Sequence, residues 1–313
     1  MAWNIVETSN AAAAQPEWRQ HTITLRDGLR LYARHYPAPD TTAHRRSALC
    51  LPGLTRNSRD FHDLAVHLST GPTARDVYTL DGRGRGGSDS DPDWRNYTVP
   101  TEANDCVDVI AALGLHDVAL IGTSRGGLVA MVLAAMQPTS IGAVVLNDIG
   151  QIIERAGLSR ITAYVGRTPT PISWDDATKM VRSISQQAFP AVPDAHWASV
   201  ARAWFNDLNG RPAPGYDAKI GKAVSVVDGP PPPLWAQFDT LKAKPMLVIR
   251  GALSDILSAA TVTAMQARHP NCATLEVAGQ GHAPLLKDTV TNDKIAAFLD
   301  DADADRSVAG RRL

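Results

Sequence analysis

The chain has 313 residues, 44% of them apolar and 20% charged, and 31 Lys and Arg against 32 Asp and Glu leave a formal net charge of −1. That apolar content excludes disorder as the overall state, and the even charge argues against nucleic acid as an obligate partner, which normally shows as a basic excess or stripe. Three widely spaced cysteines (Cys50, Cys106, Cys272) make neither a disulfide framework nor a CxxC metal pair, as expected of a reducing compartment.

The predicted elements alternate between strand and helix. Residues 1–20 lack the basic start and apolar run of a signal peptide, and no apolar stretch approaches the roughly 18 residues of a membrane span, so a soluble cytoplasmic protein with no membrane partner is expected. Thr22–Leu25 and Leu29–Tyr36 alternate around Asp27-Gly28 and predict a hairpin. Ser47–Leu51 reads as a short strand ending in Pro52-Gly53, and Asp60–Leu68 has helical spacing. Val77–Leu80 is a strand running into the glycine-rich stretch Asp81–Gly87, and a helix follows from about Pro100 to Leu113. Val118–Ile121, Gly126–Met136 and Ala143–Leu146 read as strand, helix and strand. The rhythm resumes with a strand at Pro245–Ile249, a helix at Ala259–Arg268, a strand at Thr274–Val277 and a closing helix at Asn292–Leu299. Short apolar strands separated by helices predict an α/β fold, with a mostly parallel central sheet covered by helices on both faces.

Residues 150–240 break this rhythm. They are irregular and helix-like, and they hold Trp174, Trp197, Trp204 and Trp235 before the stiff run Pro230–Pro233. We read them as a helical cap inserted into a core of residues 1–149 and 241–300, with Trp174, Trp204 and Trp235 expected to line a substrate pocket. Residues 301–313 read as a flexible tail.

The chemistry concentrates in Gly122-Thr123-Ser124-Arg125-Gly126, a G-x-S-x-G sequence between a predicted strand and a predicted helix. In that setting a serine sits on a sharp turn with its hydroxyl exposed, and the flanking glycines avoid collisions across the turn. A serine hydroxyl needs a base, and the base needs a carboxylate to orient it. His282, in the glycine-rich turn after Thr274–Val277, is the candidate base. Two acids preserve the order serine, acid, histidine: Asp255, after the strand Pro245–Ile249, and Asp148, after the strand ending at Leu146. Both follow the carboxyl end of a strand, where open α/β sheets place catalytic groups. Asp255 is the expected acid because its strand should neighbour the one before His282. Asp148 is the alternative, otherwise a turn residue or an ion partner for Arg125. The stretch Gly82–Gly87 lacks the lysine of a phosphate-binding loop, and Arg83 and Arg85 suit hydrogen bonds that hold the loop.

With Leu51-Pro52-Gly53-Leu54, Asp81–Ser88, the Ser124 turn, Asp255 and His282, nearly the whole chain resembles the α/β-hydrolase fold family, in its cap-bearing serine hydrolase form (esterases, lactonases and carbon–carbon bond hydrolases). The resemblance implies Ser124 as nucleophile, His282 as base then acid, Asp255 as orienting acid, and backbone N–H groups of Leu54 and Arg125 as the oxyanion hole. It departs from many relatives in carrying Pro52-Gly53 where those have His-Gly, and in the charged Arg125 after the nucleophile. The expected activity is hydrolysis of a small or medium apolar ester, lactone or amide through an acyl-enzyme, with no metal and no organic cofactor. The alternatives are cleavage of a carbon–carbon bond in a dioxo or enol acid, with Arg125 or another cationic group under the cap receiving the substrate carboxylate, or a non-catalytic ligand-binding protein on the same fold.

Overall fold

The computed structural model describes residues 5–8, 18–39, 45–225 and 233–309. The strands, in chain order, are β1 (Ile5–Thr8), β2 (Arg19–Thr24), β3 (Arg30–Tyr36), β4 (Ala48–Leu51), β5 (Val77–Leu80), β6 (Val118–Thr123), β7 (Ile141–Asn147), β8 (Asn206–Leu208), β9 (Arg211–Ala213), β10 (Met246–Gly251) and β11 (Cys272–Val277). Among the described residues, β8 and β9 form a separate hairpin and the rest form one sheet in the order β1-β2-β3-β5-β4-β6-β7-β10-β11. The pairs from β1 to β3, and β3 with β5, are antiparallel; every pair from β5 to β11 is parallel.

Burial explains which strands could be read from sequence. Every residue of β4 and β7 is buried, giving the continuous apolar runs of strands covered on both faces. β2 and β3 alternate between buried and partly exposed residues, and Gly28 (φ +89°) turns the hairpin between them.

The helices are α1 (His62–Thr70), α2 (Val99–Ala112), α3 (Arg125–Met136), α4 (Arg155–Tyr164), α5 (Trp174–Ser185), α6 (Trp197–Trp204), α7 (Ile220–Ser225), α8 (Trp235–Asp239), α9 (Ala259–Arg268) and α10 (Thr289–Ala309). One face of the sheet buries Val109 of α2, Met131 of α3, Phe238 of α8 and Met265 of α9; the other buries Leu64 of α1 and Ile295 and Leu299 of α10. Side-chain caps start several of these helices. Thr98 accepts from Thr101 N–H at α2, and Ser258 from Thr261 N–H at α9. No helix among the described residues is long and apolar enough to cross a membrane.

Two boundaries differ from expectation. Residues 301–309 are not a tail but the end of α10, because Asp303 accepts from Arg46 and from Arg75 Nη1, both at 2.9 Å, which fixes this acidic turn to the sheet. The inserted segment ends before Leu234: α8 lies on the sheet's own core, with Trp235 edge-on to Phe238 at 5.9 Å. Apart from Pro233, the polyproline run lies outside the described residues.

Candidate active site

Four parallel strands (β6, β7, β10, β11) end at one edge of the sheet, and the functional side chains gather there. Ser124 joins β6 to α3 at φ 50° and ψ −114°, a backbone conformation that a non-glycine residue rarely adopts. The turn tolerates it because its flanks are bare. A Cβ on Gly126 would stand 1.9 Å from the Leu51 carbonyl oxygen, and one on Gly122 would stand 2.6 Å from the Gly126 backbone. The Ser124 N–H is held by the Asn147 carbonyl at 3.0 Å.

Ser124 Oγ lies 2.8 Å from His282 Nε2, and His282 Nδ1 lies 2.8 Å from Asp148 Oδ2. A carboxylate only accepts, so Nδ1 carries the imidazole proton and Nε2 is left to accept from the serine hydroxyl. Asp148 is fully buried, and each of its oxygens has further partners. Oδ1 accepts from Gly251 N–H at 2.7 Å, and Oδ2 accepts from Ser254 Oγ at 2.6 Å. Asn147 Nδ2 donates to the Pro284 carbonyl at 2.9 Å and to Thr123 Oγ1 at 3.1 Å, tying the histidine turn to the end of β7 and to the serine turn.

The expected acid is therefore corrected. Asp255 does not meet His282: its carboxylate takes Arg160 Nε at 2.6 Å and Nη2 at 2.8 Å. The Arg160 hydrogen bonds hold its carboxyl below the usual range against the opposing effect of burial. The physical reason is reach. Both strands lie next to each other, but Asp148 directly follows β7, whereas β10 ends at Gly251 and Asp255 sits out in the following turn, where α4 brings Arg160 to it.

Arg125 is also not Asp148's partner. Its Nε and Nη2 donate to Glu102 at 2.9 and 3.1 Å, and its Nη2 to the Tyr97 carbonyl at 3.1 Å. Arg83 and Arg85 hold more than their own loop. Arg83 pairs with Asp27, Asp91 and Asp105, and Arg85 with Glu102 and the Leu54 carbonyl.

Ser124 and His282 open into a cavity of about 150 Å³. Leu54 and Phe61 wall it from the sheet side, and Ile161, Phe189, Trp197 and Trp204 from the inserted segment. Of the three tryptophans expected there, only Trp204 lines it, with the Arg56 guanidinium 4.3 Å from its ring centre. Trp174 is turned out to the β8–β9 hairpin, donating to the Gly210 carbonyl at 3.1 Å, and Trp235 lies on the sheet core. Trp197, which the sequence reading does not place in the pocket, also lines it; Trp197, Val200, Ala201 and Trp204 repeat at the spacing of one helical face. The cations at the cavity are each engaged by a carboxylate: Arg56 by Asp60, Arg160 by Asp255, Lys287 by Asp63. Among the described residues, no group of three or more His, Cys, Asp or Glu side chains could hold a metal ion.

Residues 48–294 match the alpha/beta hydrolase family. The chain belongs to that family, and it is an enzyme of the hydrolase class. It is similar to a 3-hydroxybutyrate-oligomer hydrolase from Cupriavidus necator, 31% identical over 255 residues that cover 79% of this chain and 85% of the relative. A 2-(acetamidomethylene)succinate hydrolase from Mesorhizobium japonicum is 26% identical, covering 79% and 86%. Among solved structures, an alpha/beta hydrolase from Novosphingobium aromaticivorans superposes with a TM-score of 0.84 at 36% identity, covering 92% of this chain and 99% of that one.

Proposed function

We propose that this family member is a serine hydrolase of short carboxylic esters, with oligomers of a small hydroxy acid as its substrate class. The observation that carries the reading is the unbroken relay Ser124–His282–Asp148, two contacts of 2.8 Å at the floor of a cavity of about 150 Å³. Ser124 Oγ attacks the ester carbonyl while His282 Nε2 takes its proton. The negative charge on the tetrahedral intermediate is met by the backbone N–H groups of Leu54 and Arg125. His282 then gives the proton to the departing alkoxide, and water, deprotonated by the same imidazole, releases the acyl group. Asp148 stabilises the imidazolium and fixes the ring's tautomer.

Cavity size supports a short acyl unit, because a void of this order holds about one benzene-sized group. The similarity to a 3-hydroxybutyrate-oligomer hydrolase supports the same class. In this reading the inserted segment is a cap whose residues between Arg160 and Trp204 close over the substrate pocket. Carbon–carbon cleavage with Arg125 as carboxylate receptor has less support, since that guanidinium is bound to Glu102 and does not line the cavity. The free thiols of Cys50, Cys106 and Cys272 suit the cytoplasmic location proposed for the chain. The test is hydrolysis of the linear 3-hydroxybutyrate dimer and of p-nitrophenyl butyrate by wild type beside Ser124→Ala. Wild type should cleave both, and a fluorophosphonate should label wild type alone; activity or labelling retained in Ser124→Ala would refute the nucleophile.

A further inference from the structure

Arg125, the residue directly behind Ser124, carries a charge at the back of the serine turn, and the structure gives it a specific surrounding. The Glu102 side chain, buried on α2, accepts from two arginines: Arg85 Nη1 at 2.9 Å, and Arg125 Nε and Nη2 at 2.9 and 3.1 Å. Arg85 in turn donates from Nε to the Leu54 carbonyl at 2.9 Å. The two residues whose N–H groups serve as oxyanion donors are thus joined through one carboxylate. Leu54 is reached through Arg85, and Arg125 through its own side chain.

Buried ion clusters contribute little net stability over an apolar replacement, because desolvation offsets much of their attraction. Their rigid, multidentate geometry is another matter, since guanidinium–carboxylate forks fix direction as well as distance. The Leu54 loop and the Ser124 turn come from different strands, β4 and β6, so nothing in the chain's covalent path sets the spacing between their N–H groups. Burial alone would raise the Glu102 carboxyl, but the Arg125 and Arg85 guanidiniums outweigh it and hold it down to about 2, so the brace stays charged at any working pH.

We propose that Glu102 is a positioning residue that sets the oxyanion hole, holding the Leu54 and Arg125 N–H groups at a common distance from the developing oxyanion through Arg85 and the Arg125 side chain. This rests on the serine-hydrolase reading above.

The experiment is Glu102→Gln, a near-isosteric change that removes the charge, assayed on p-nitrophenyl butyrate beside wild type and Ser124→Ala. Expected is a fall of about tenfold in kcat with KM within about twofold, short of the ~10²–10³ lost when an oxyanion donor is deleted. Affinity for a trifluoromethyl ketone, which forms the tetrahedral oxyanion on the serine, should weaken by the same factor while inhibition by butyrate does not change. A merely structural role would lower the melting temperature without separating those two ligands. Should circular dichroism show Glu102→Gln unfolded, Arg125→Gln, which keeps its backbone N–H and removes one arm, is measured instead with the same expected separation. A folded variant with kcat and ketone affinity within twofold of wild type overturns the proposal, as does equal weakening of both ligands. Loss of activity in Ser124→Ala beside a normal Glu102→Gln would overturn only this proposal; activity in Ser124→Ala would overturn the reading beneath it.

Discussion

Ser124 sits at φ 50° between two glycines that cannot be anything larger, and His282 sits in a glycine-bearing turn after β11, three strands further along the sheet. Both can be read from sequence because sharp turns at strand ends demand residue types that leave a local mark. The acid leaves none. Asp148 and Asp255 follow adjacent strands and keep the same chain order, and the choice depends on two things that sequence does not show. One is how far past the strand each lies; the other is that Arg160 arrives from a distant helix to occupy Asp255. Ser254 marks the difference. Its hydroxyl donates to Asp148 at 2.6 Å and accepts from the Leu257 N–H at 3.0 Å, so it anchors the carboxylate to the turn after β10. A hydrogen bond to a charged group contributes about 1.5–3 kcal/mol, so Ser254→Ala should lower kcat by about tenfold or more with KM little changed, read by steady-state kinetics. Gly126→Ala should destabilise outright, with a lower melting temperature in calorimetry, since the new methyl would overlap the Leu51 carbonyl.

At the scale of elements, the parallel strands and their covering helices are legible because full burial writes itself as uninterrupted apolar runs and helical spacing. The elements expected from sequence do not include β1 or the β8–β9 hairpin. The hairpin reads Asn-Asp-Leu and Arg-Pro-Ala, with few of the β-branched or aromatic residues that announce a strand. Tryptophans set residues 150–240 apart in composition, but composition cannot say which way each ring faces. α6 turns its apolar stripe to the cavity, with Trp197, Val200 and Trp204, and α4 adds Ile161 and Tyr164. Trp204→Ala should therefore raise KM for a butyryl ester by about tenfold, in line with losing a large buried apolar contact. Trp174→Ala and Trp235→Ala should leave KM near wild type, the latter losing stability instead. Parallel kinetics on the three variants check this, and an equal rise in all three would contradict the placement.

For the molecule as a whole, a net charge of −1 conceals how the charges are used. Arg75, Arg83 and Arg85 are buried in ion pairs that bind loops far apart in the chain, and Glu102 joins the glycine-rich loop to the serine turn. These pairings are invisible in composition. They have a consequence for acid stability. Burial opposes ionisation of Glu102, but Arg125 and Arg85 take its carboxyl from an ordinary value near 4.5 to about 2 in the folded protein. A depressed acid stabilises the fold fully above its unfolded value and loses that contribution as pH falls through the folded one. Wild type should thus lose denaturation free energy more steeply than Glu102→Gln between pH 4.5 and pH 2, measured by urea titration at each pH. Identical slopes would show that the carboxylate is not held as described.

The central claim is that Asp148, and not Asp255, orients His282. The direct measurement is kcat for Asp148→Asn and Asp255→Asn on one ester under one set of conditions. Asp148→Asn should fall by about 10⁴, as expected when the orienting carboxylate of such a relay is neutralised, and Asp255→Asn by no more than about tenfold. A collapse in Asp255→Asn beside a nearly normal Asp148→Asn would contradict the account.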